Sequence, residues 1–292
     1  MPEAMEAMEA MEAMEAMSEA MEPADKSRSS DYGTALIVVK TVQCSAMRNL
    51  FETLKDVLQD CNLIFDESGI KCLQMDNNNN VIVSVKLNAS GFEDYYCKGR
   101  FVAGINVGNM FRLIKSIGQS DTLLMRVDEK EPNLLKMQIE NFDKNMRSLY
   151  ELNLLDIEEV NLEIPVTTFD VVLTMPSLDL QRVCRDLSIL SETIEIESVD
   201  KKLTLRAKGD FARQSVEMGE KDNGLFFANS NEDRKVIRAM YSLKYLNLFS
   251  KANVLCSTVD LYLKDNFPMI LSYTVASLGK VMFVIAQKVS DP

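Results

Sequence analysis

Residues 177–198 read SLDLQRVCRDLSILSETIEIES, and residues 46–68 read AMRNLFETLKDVLQDCNLIFDES. In the first stretch Leu180, Val183, Cys184 and Leu187 share a helical face. In the second Met47, Leu50, Phe51, Leu54 and Leu58 do so. This is the i, i+3, i+4 spacing of a helix with one side against a core. Lys55-Asp56 precedes Glu67-Ser68 by 12 residues, and Arg185-Asp186 precedes Glu197-Ser198 by the same 12. The chain therefore reads as one unit written twice. Two further helices fit: Val107–Ile117 groups Met110, Leu113, Ile114 and Ile117, and Ser242–Ala252 groups Leu243, Leu246 and Phe249 or Ser250. With the first pair spanning Ala46–Gln59 and Ser177–Leu190, four amphipathic helices of about three turns are expected.

Around them the pattern alternates. Ala35–Val42, Val81–Ala89, Leu123–Val127, Leu134–Glu140, Leu203–Ala207, Val259–Leu263, Met269–Val275 and Lys280–Lys288 carry strand signals. Asp66–Gly69 and Asp76–Asn80 read as turns. The helix ending at Lys115 leads to Ser120–Asp128, and that ending at Lys251 leads to Ser257–Asp265. The order strand, helix, several strands, helix, several strands occurs twice, which describes a duplicated α+β domain. A length of 292 residues suits two domains.

Composition removes whole classes of function. The chain has no histidine, so Ser-His-Asp and Cys-His catalysis and histidine-held metals are excluded. It carries no GxxxxGK[ST] or GxGxxG loop for nucleotides. The cysteines, at 44, 61, 72, 97, 184 and 256, form no CxxC pair and suit no zinc site; reduced core or strand residues are expected. No catalytic residue, metal or cofactor is expected. No apolar run reaches the roughly 18 residues of a membrane span. Met1–Ser18 alternates Met, Glu and Ala without the basic start of a signal peptide. An intracellular soluble protein with no membrane partner is the expectation. Residues 1–34 are expected to be a disordered or weakly helical tail, because the Glu residues at i and i+3 repel one another.

The net charge is −12, yet the bases are not scattered. Arg48 and Lys55 share a stripe of the first helix, and Lys244 and Lys251 share one of the last. Arg112 with Lys115, and Arg182 with Arg185, are adjacent on the other two. Each helix thus turns a basic pair away from its apolar stripe. Helices side by side would make one positive face, which attracts phosphates without reading sequence. No aromatic residue interleaves with these bases, which favours duplex backbone over stacked single strands.

From Leu54-Lys55-Asp56, Gly69-Ile70, Gln74-Met75-Asp76, Ser90-Gly91-Phe92 with Tyr95 and Cys97, Leu162–Pro165, Met175-Pro176-Ser177, Cys184–Ser188, Tyr245–Ala252, Pro268 and Ala286-Gln287-Lys288, the chain resembles the sliding clamps of the proliferating cell nuclear antigen family over residues 35–289. The resemblance implies clamp domains at 35–152 and 169–292, joined by an interdomain connecting loop at 153–168. It implies a head-to-tail homotrimeric ring with helices lining the interior and sheets outside. Its function would be that of a non-enzymatic DNA polymerase processivity factor and recruitment platform for replication and repair enzymes. Hole-lining bases then fall on Arg48, Lys55, Arg112, Lys115, Arg185 and Lys251, with Arg182 and Lys244 also basic there.

Partner proteins would dock through short glutamine-plus-aromatic peptides on Met75, Asn79, Leu162, Ile164, Pro165, Phe169, Pro268, Val284 and Ala286. Subunits would join through strands near Arg147–Leu152 and Phe211–Val216, with Tyr150, Arg147, Arg213 and Ser215 at the contact. The implied partners are duplex DNA, DNA polymerase and a clamp loader. The implied compartment is the nucleus, or a viral replication site. Asn79 and Gln287 depart from the family's histidine and proline, and Asp200 stands where the family carries a modified lysine, beside Lys201 and Lys202. A checkpoint-type subunit of a mixed ring and a viral factor acting as monomer or dimer are the alternatives.

Overall fold

Repetition sets the architecture. The computed structural model describes residues 32–76, 78–159, 168–230 and 236–288. Its first half runs β1 (Ala35–Thr41), α1 (Cys44–Leu54), β2 (Asp60–Asp66), β3 (Gly69–Met75), β4 (Val81–Asn88), β5 (Asp94–Cys97), β6 (Phe101–Asn106), α2 (Val107–Ile114), β7 (Asp121–Asp128), β8 (Glu131–Asn141) and β9 (Met146–Asn153). The second half runs β10 (Val171–Pro176), α3 (Ser177–Leu187), β11 (Thr193–Val199), β12 (Lys202–Lys208), β13 (Arg213–Gly219), β14 (Phe226–Ser230), β15 (Ile237–Ser242), α4 (Leu243–Phe249), β16 (Thr258–Leu263), β17 (Met269–Val275) and β18 (Gly279–Ile285). A 3₁₀ turn, Ser250–Val254, continues α4.

Helices α1 and α3 start at residues 44 and 177, β2 and β11 at 60 and 193, and β3 and β12 at 69 and 202, a constant shift of 133. This corrects the 12-residue match. Glu67 and Ser68 form the β2–β3 turn, but Glu197 and Ser198 lie inside β11, opposite Thr204 and Leu203. The true counterpart of the first turn is Asp200-Lys201, both with positive φ of 46° and 60°. The helices are shorter than their periodicity predicts. The α1 spiral tightens after Leu54, whose carbonyl accepts from both Val57 and Leu58, and α4 becomes 3₁₀ after Phe249.

Among the described residues every ladder between strands is antiparallel. The sheets have the orders β5-β1-β7-β8-β9, β14-β10-β16-β17-β18-β4-β3-β2-β6 and β13-β12-β11-β15. The nine-stranded sheet crosses from one half to the other where β18 pairs with β4, from Gly279 opposite Leu87 to Ile285 opposite Val81. Alternate residues of that junction (Val81, Val83, Val85, Leu87, Val281, Phe283 and Ile285) are buried. Gly279 is required there: its φ is +156°, and a Cβ would lie 2.0 Å from the Lys86 carbonyl oxygen.

Phe283 stacks on Phe249 of α4, with ring centroids 4.6 Å apart, and meets Tyr273 edge-on at 6.2 Å. One side chain thus anchors both the strand that fuses the halves and the helix above it. Phe283→Ala is expected to lower unfolding free energy by about 3–5 kcal/mol. Phe142→Ala, at a side chain 71% exposed, should change it by under about 0.5 kcal/mol. Urea unfolding of both variants checks the contrast.

Candidate functional site: a basic helix layer and an apolar row

The four helices form one layer. Helix α1 packs on α2 and on the Ser250–Val254 turn, and α3 packs on that turn and on α4. Between the halves, Asn49 Nδ2 donates to the Val254 carbonyl at 2.9 Å; within the second half, the amides of Gln181 and Asn253 meet at 3.3–3.4 Å and tie α3 to the Ser250–Val254 turn. With Met47, Leu50, Phe51, Leu54, Met110, Ile114, Leu180, Cys184, Leu187, Leu243, Leu246 and Phe249 buried beneath, the polar positions are turned to solvent. Arg112, Lys115, Arg182, Arg185, Lys244 and Lys251 are exposed, whereas Arg48 and Lys55 are half-buried.

The bases differ in what they touch. Arg48 Nη1 donates to the Ile117 carbonyl at 3.2 Å, tying α1 to the end of α2. Arg112 Nη1 donates to Asn109 Oδ1 at 3.2 Å, and Arg185 Nε stands 3.9 Å from Asp186. Lys55 Nζ lies 2.7 Å from Asp56 Oδ1, while Lys251 Nζ, from the other half, lies 2.8 Å from Asp56 Oδ2. One carboxylate thus holds two ammonium groups across the seam. Partial burial pushes the Asp56 pKa up, but the hydrogen bonds and charges of Lys251 and Lys55 outweigh it and hold the group below its ordinary 3.8.

Aromatic rings do stand among the bases, contrary to the sequence expectation: Lys55 sits 5.3 Å over Phe111, and Lys244 sits 5.7 Å over Tyr245. Each ring carries an ammonium on its face, so neither offers a stacking platform for a nucleobase.

A second surface lies on the opposite side of the nine-stranded sheet. Tyr262 faces Ile270, Ile270 faces Val284, Val284 faces Ile82, and Ile82 faces Met75. Phe283 and Ile285 point toward the helices, so alternation turns Val284 the other way. The result is one apolar row across five strands, half-buried at Tyr262, Ile82 and Met75 and buried at Ile270 and Val284. Phe169 extends it, with its ring 5.3 Å from Tyr262 and 5.8 Å from Phe267. Pro268 is half-buried beside Phe267, and Ala286 is exposed. The Ala286 amide donates to Asn80, next to exposed Asn79. Asp76 braces that loop. Its Oδ1 accepts from the Asn80 and Val81 amides at 2.8 and 3.0 Å, and its Oδ2 accepts from the Tyr245 hydroxyl at 2.8 Å.

Met75, Asn79, Phe169, Pro268, Val284 and Ala286 therefore gather at one place. Leu162, Ile164 and Pro165 lie outside the described residues. Ile82, Ile270, Tyr262 and Phe267 escaped the sequence analysis. Their signal was an apolar side chain in the outward register of a strand, as at Ile82 beside Ser84 and Lys86.

The third group lies on strand edges. Among the described residues β9 pairs only with β8, and β13 only with β12. Arg147, Arg213 and Ser215 are exposed, and Tyr150 is half-buried. Strand β13 starts at Arg213, not at Phe211, which precedes it and is 78% exposed.

Because the folded pKa of Asp56 is depressed, its contribution to stability is present above pH 3.8 and is lost as pH falls through the folded value. In an NMR titration the Asp56 carboxyl should show a midpoint below 3.8, and Lys251→Met should raise that midpoint. An unchanged midpoint would remove Lys251 as a cause.

Comparison with known proteins places this geometry. The family model for the proliferating cell nuclear antigen N-terminal domain matches residues 36–161, and that for the C-terminal domain matches residues 163–288. The chain is 35% identical over 260 residues to the "Probable DNA polymerase sliding clamp 1" of Paramecium bursaria Chlorella virus 1, covering 88% of this chain and 98% of that protein. It is 29% identical over 261 residues to the "Proliferating cell nuclear antigen" of Chaetomium thermophilum, covering 88% and 99%. With both domain models matched in order across a duplicated α+β body, the chain belongs to the proliferating cell nuclear antigen family.

Proposed function

We propose that three copies of this chain close head to tail into a ring around duplex DNA and act as a DNA polymerase processivity factor. The observation that carries the proposal is the helix layer, with bases from all four helices on its solvent side in a chain of net charge −12. Such a surface meets phosphates in any sequence and in no preferred register. Weak, water-bridged contacts then permit sliding. A closed ring holds DNA by topology, so the acidic remainder does not oppose the function and discourages adhesion to DNA outside the hole.

The body has an internal template for closure: β18 of one repeat continues the sheet of the other through β4. Strands β9 and β13 are the corresponding edges of the five-stranded and four-stranded sheets. A clamp loader would open one such seam to admit DNA.

The apolar row from Tyr262 to Met75, with Phe169, Pro268 and Ala286, suits a short peptide carrying apolar or aromatic anchors beside a glutamine. The segment 153–168 would cover it as the connecting loop between domains 35–152 and 169–292. The protein's part in replication and repair is that of a scaffold without catalysis, in the nucleus or at a viral replication site.

Light scattering at several concentrations should give a mass near three chains; a stable monomer would favour a subunit of a mixed ring or a factor that clings by charge. Replacing Lys55, Lys115, Arg185 and Lys251 together by Ala should weaken loading or sliding and leave the oligomer intact. Loss of the oligomer would show these to be structural residues. Met75→Ala combined with Pro268→Ala should reduce polymerase stimulation several-fold with assembly unchanged, and undiminished stimulation would remove the row from the docking site.

A further inference from the structure

Duplication allows the seam between copies to be written residue by residue. Gly69 pairs with Asn88, and Lys202, its counterpart at the 133-residue shift, pairs with Gly219. Strand β4 therefore maps onto β13 with Asn88 on Gly219, so Ile82 falls on Arg213, Ser84 on Ser215 and Lys86 on Glu217.

At the other edge, the buried triplet Leu123, Met125, Val127 of β7 corresponds to Val259, Leu261, Leu263 of β16. The partner of Met125 is Met137, whose partner is Tyr150. The partner of Leu261 is Leu271, whose partner is Phe283. Tyr150 thus maps onto Phe283, Arg147 onto Lys280, Leu149 onto Met282 and Glu151 onto Val284. An independent contact agrees. The Leu155 amide donates to Gly104, and the Lys288 amide, 133 residues on, donates to the matching position of β15, Met240.

Within the chain, Lys280 faces Lys86, Met282 faces Ser84, Phe283 faces Val83 and Val284 faces Ile82. Carried to the edges, Arg147 faces Glu217, Leu149 faces Ser215, Tyr150 faces Gln214 and Glu151 faces Arg213. Burial supports the mapping. Arg147, Leu149, Glu151, Arg213, Ser215 and Glu217 are all exposed, whereas Ser148, Tyr150, Leu152, Val216 and Met218 on the alternate positions are half-buried. Outward residues therefore meet outward residues, which a slip by one would destroy.

In the proposed ring β9 of one copy pairs with β13 of the next, and we infer that two ion pairs, Arg147–Glu217 and Glu151–Arg213, fix the register of that pairing and select a second copy of this chain. The inference deepens the ring proposal and rests on it. Each edge places a base and an acid four residues apart, and antiparallel pairing brings each base opposite an acid. A slip by two residues would separate both pairs.

The flanking strands extend the pattern. Glu140 already lies 3.4 Å from Arg147 on the β8 side, and Lys202 lies 2.9 Å from Glu217 on the β12 side. Acid, base, acid and base would then follow one another across the seam. Arg213 stands directly opposite Lys208 in β12, a like-charge arrangement that an incoming Glu151 relieves. At the internal junction the equivalent of Glu151–Arg213 is apolar Val284–Ile82, part of the row described above. The equivalent of Arg147–Glu217 is the like-charged Lys280–Lys86, so opposite charges face each other at the seam between copies and not at its internal counterpart.

Sedimentation velocity over a dilution series, with circular dichroism as a control for folding, tests the pairs. Arg147→Glu with Glu151→Arg should raise the concentration at which the ring dissociates by at least about tenfold, three seams being affected together. Adding Arg213→Glu and Glu217→Arg should restore it. A swapped β9 that assembles like the unaltered chain, or no rescue by the second swap, overturns the ion pairs while the ring stands. An unaltered chain that never assembles overturns the ring itself. As a check on register, Leu149→Cys with Ser215→Cys should yield a covalent ladder of chains on oxidation. Cross-linking through Leu149→Cys with Glu217→Cys instead would overturn the register.

Discussion

An edge strand presents a row of backbone N–H and C=O groups that need partners, and the whole molecule is arranged around how four such edges are met. Two of them, β18 and β4, meet inside the chain and make one nine-stranded sheet from two repeats. Phe283, on that junction, stacks on Phe249, so the junction also positions the helix layer. The other two, β9 and β13, are free edges of the five-stranded and four-stranded sheets among the described residues. Closure into a ring would pair these two as well, leaving β5, β6, β14 and β15 as the sheet edges among the described residues, and would place the helices of all copies around one hole.

Charge follows from that arrangement. A protein that held DNA by adhesion would need a basic surface overall. A ring needs only a mildly basic lining. Even there Asp56 occupies two of the ammonium groups, Lys55 and Lys251, while Arg48 is bonded to the Ile117 carbonyl. The helix layer is thus less positive than its count of bases suggests, which would suit a track along which DNA moves freely.

The sequence made the helices and the strands β1, β4, β7, β8, β12, β16, β17 and β18, all interior to their sheets, legible because their apolar spacing is regular. Met47, Leu50, Phe51 and Leu54 could belong only to an amphipathic helix. Strands β2, β3, β5, β6, β10, β11, β14 and β15 went unread from the sequence; β2, for example, opens with Asp60-Cys61-Asn62, which mixes polar with apolar residues. The register of the repeat was misread by three residues because two Asp-to-Ser spacings coincided; only the β-turn at Asp200-Lys201, set by backbone conformation, corrects it. The bases were found by helical period. The apolar row was found only in part, because Tyr262, Ile270, Val284, Ile82 and Met75 are brought into line by ladders between strands far apart in sequence.

Encirclement is the central claim, and topology tests it. Protein would be threaded onto a linear duplex whose biotinylated ends are then blocked with streptavidin, and its retention followed in high salt before and after a restriction cut. A ring should survive the salt on blocked DNA and be lost on cutting. Loss in high salt while both ends are still blocked would mean that charge, not topology, holds the protein to DNA, and would contradict the account.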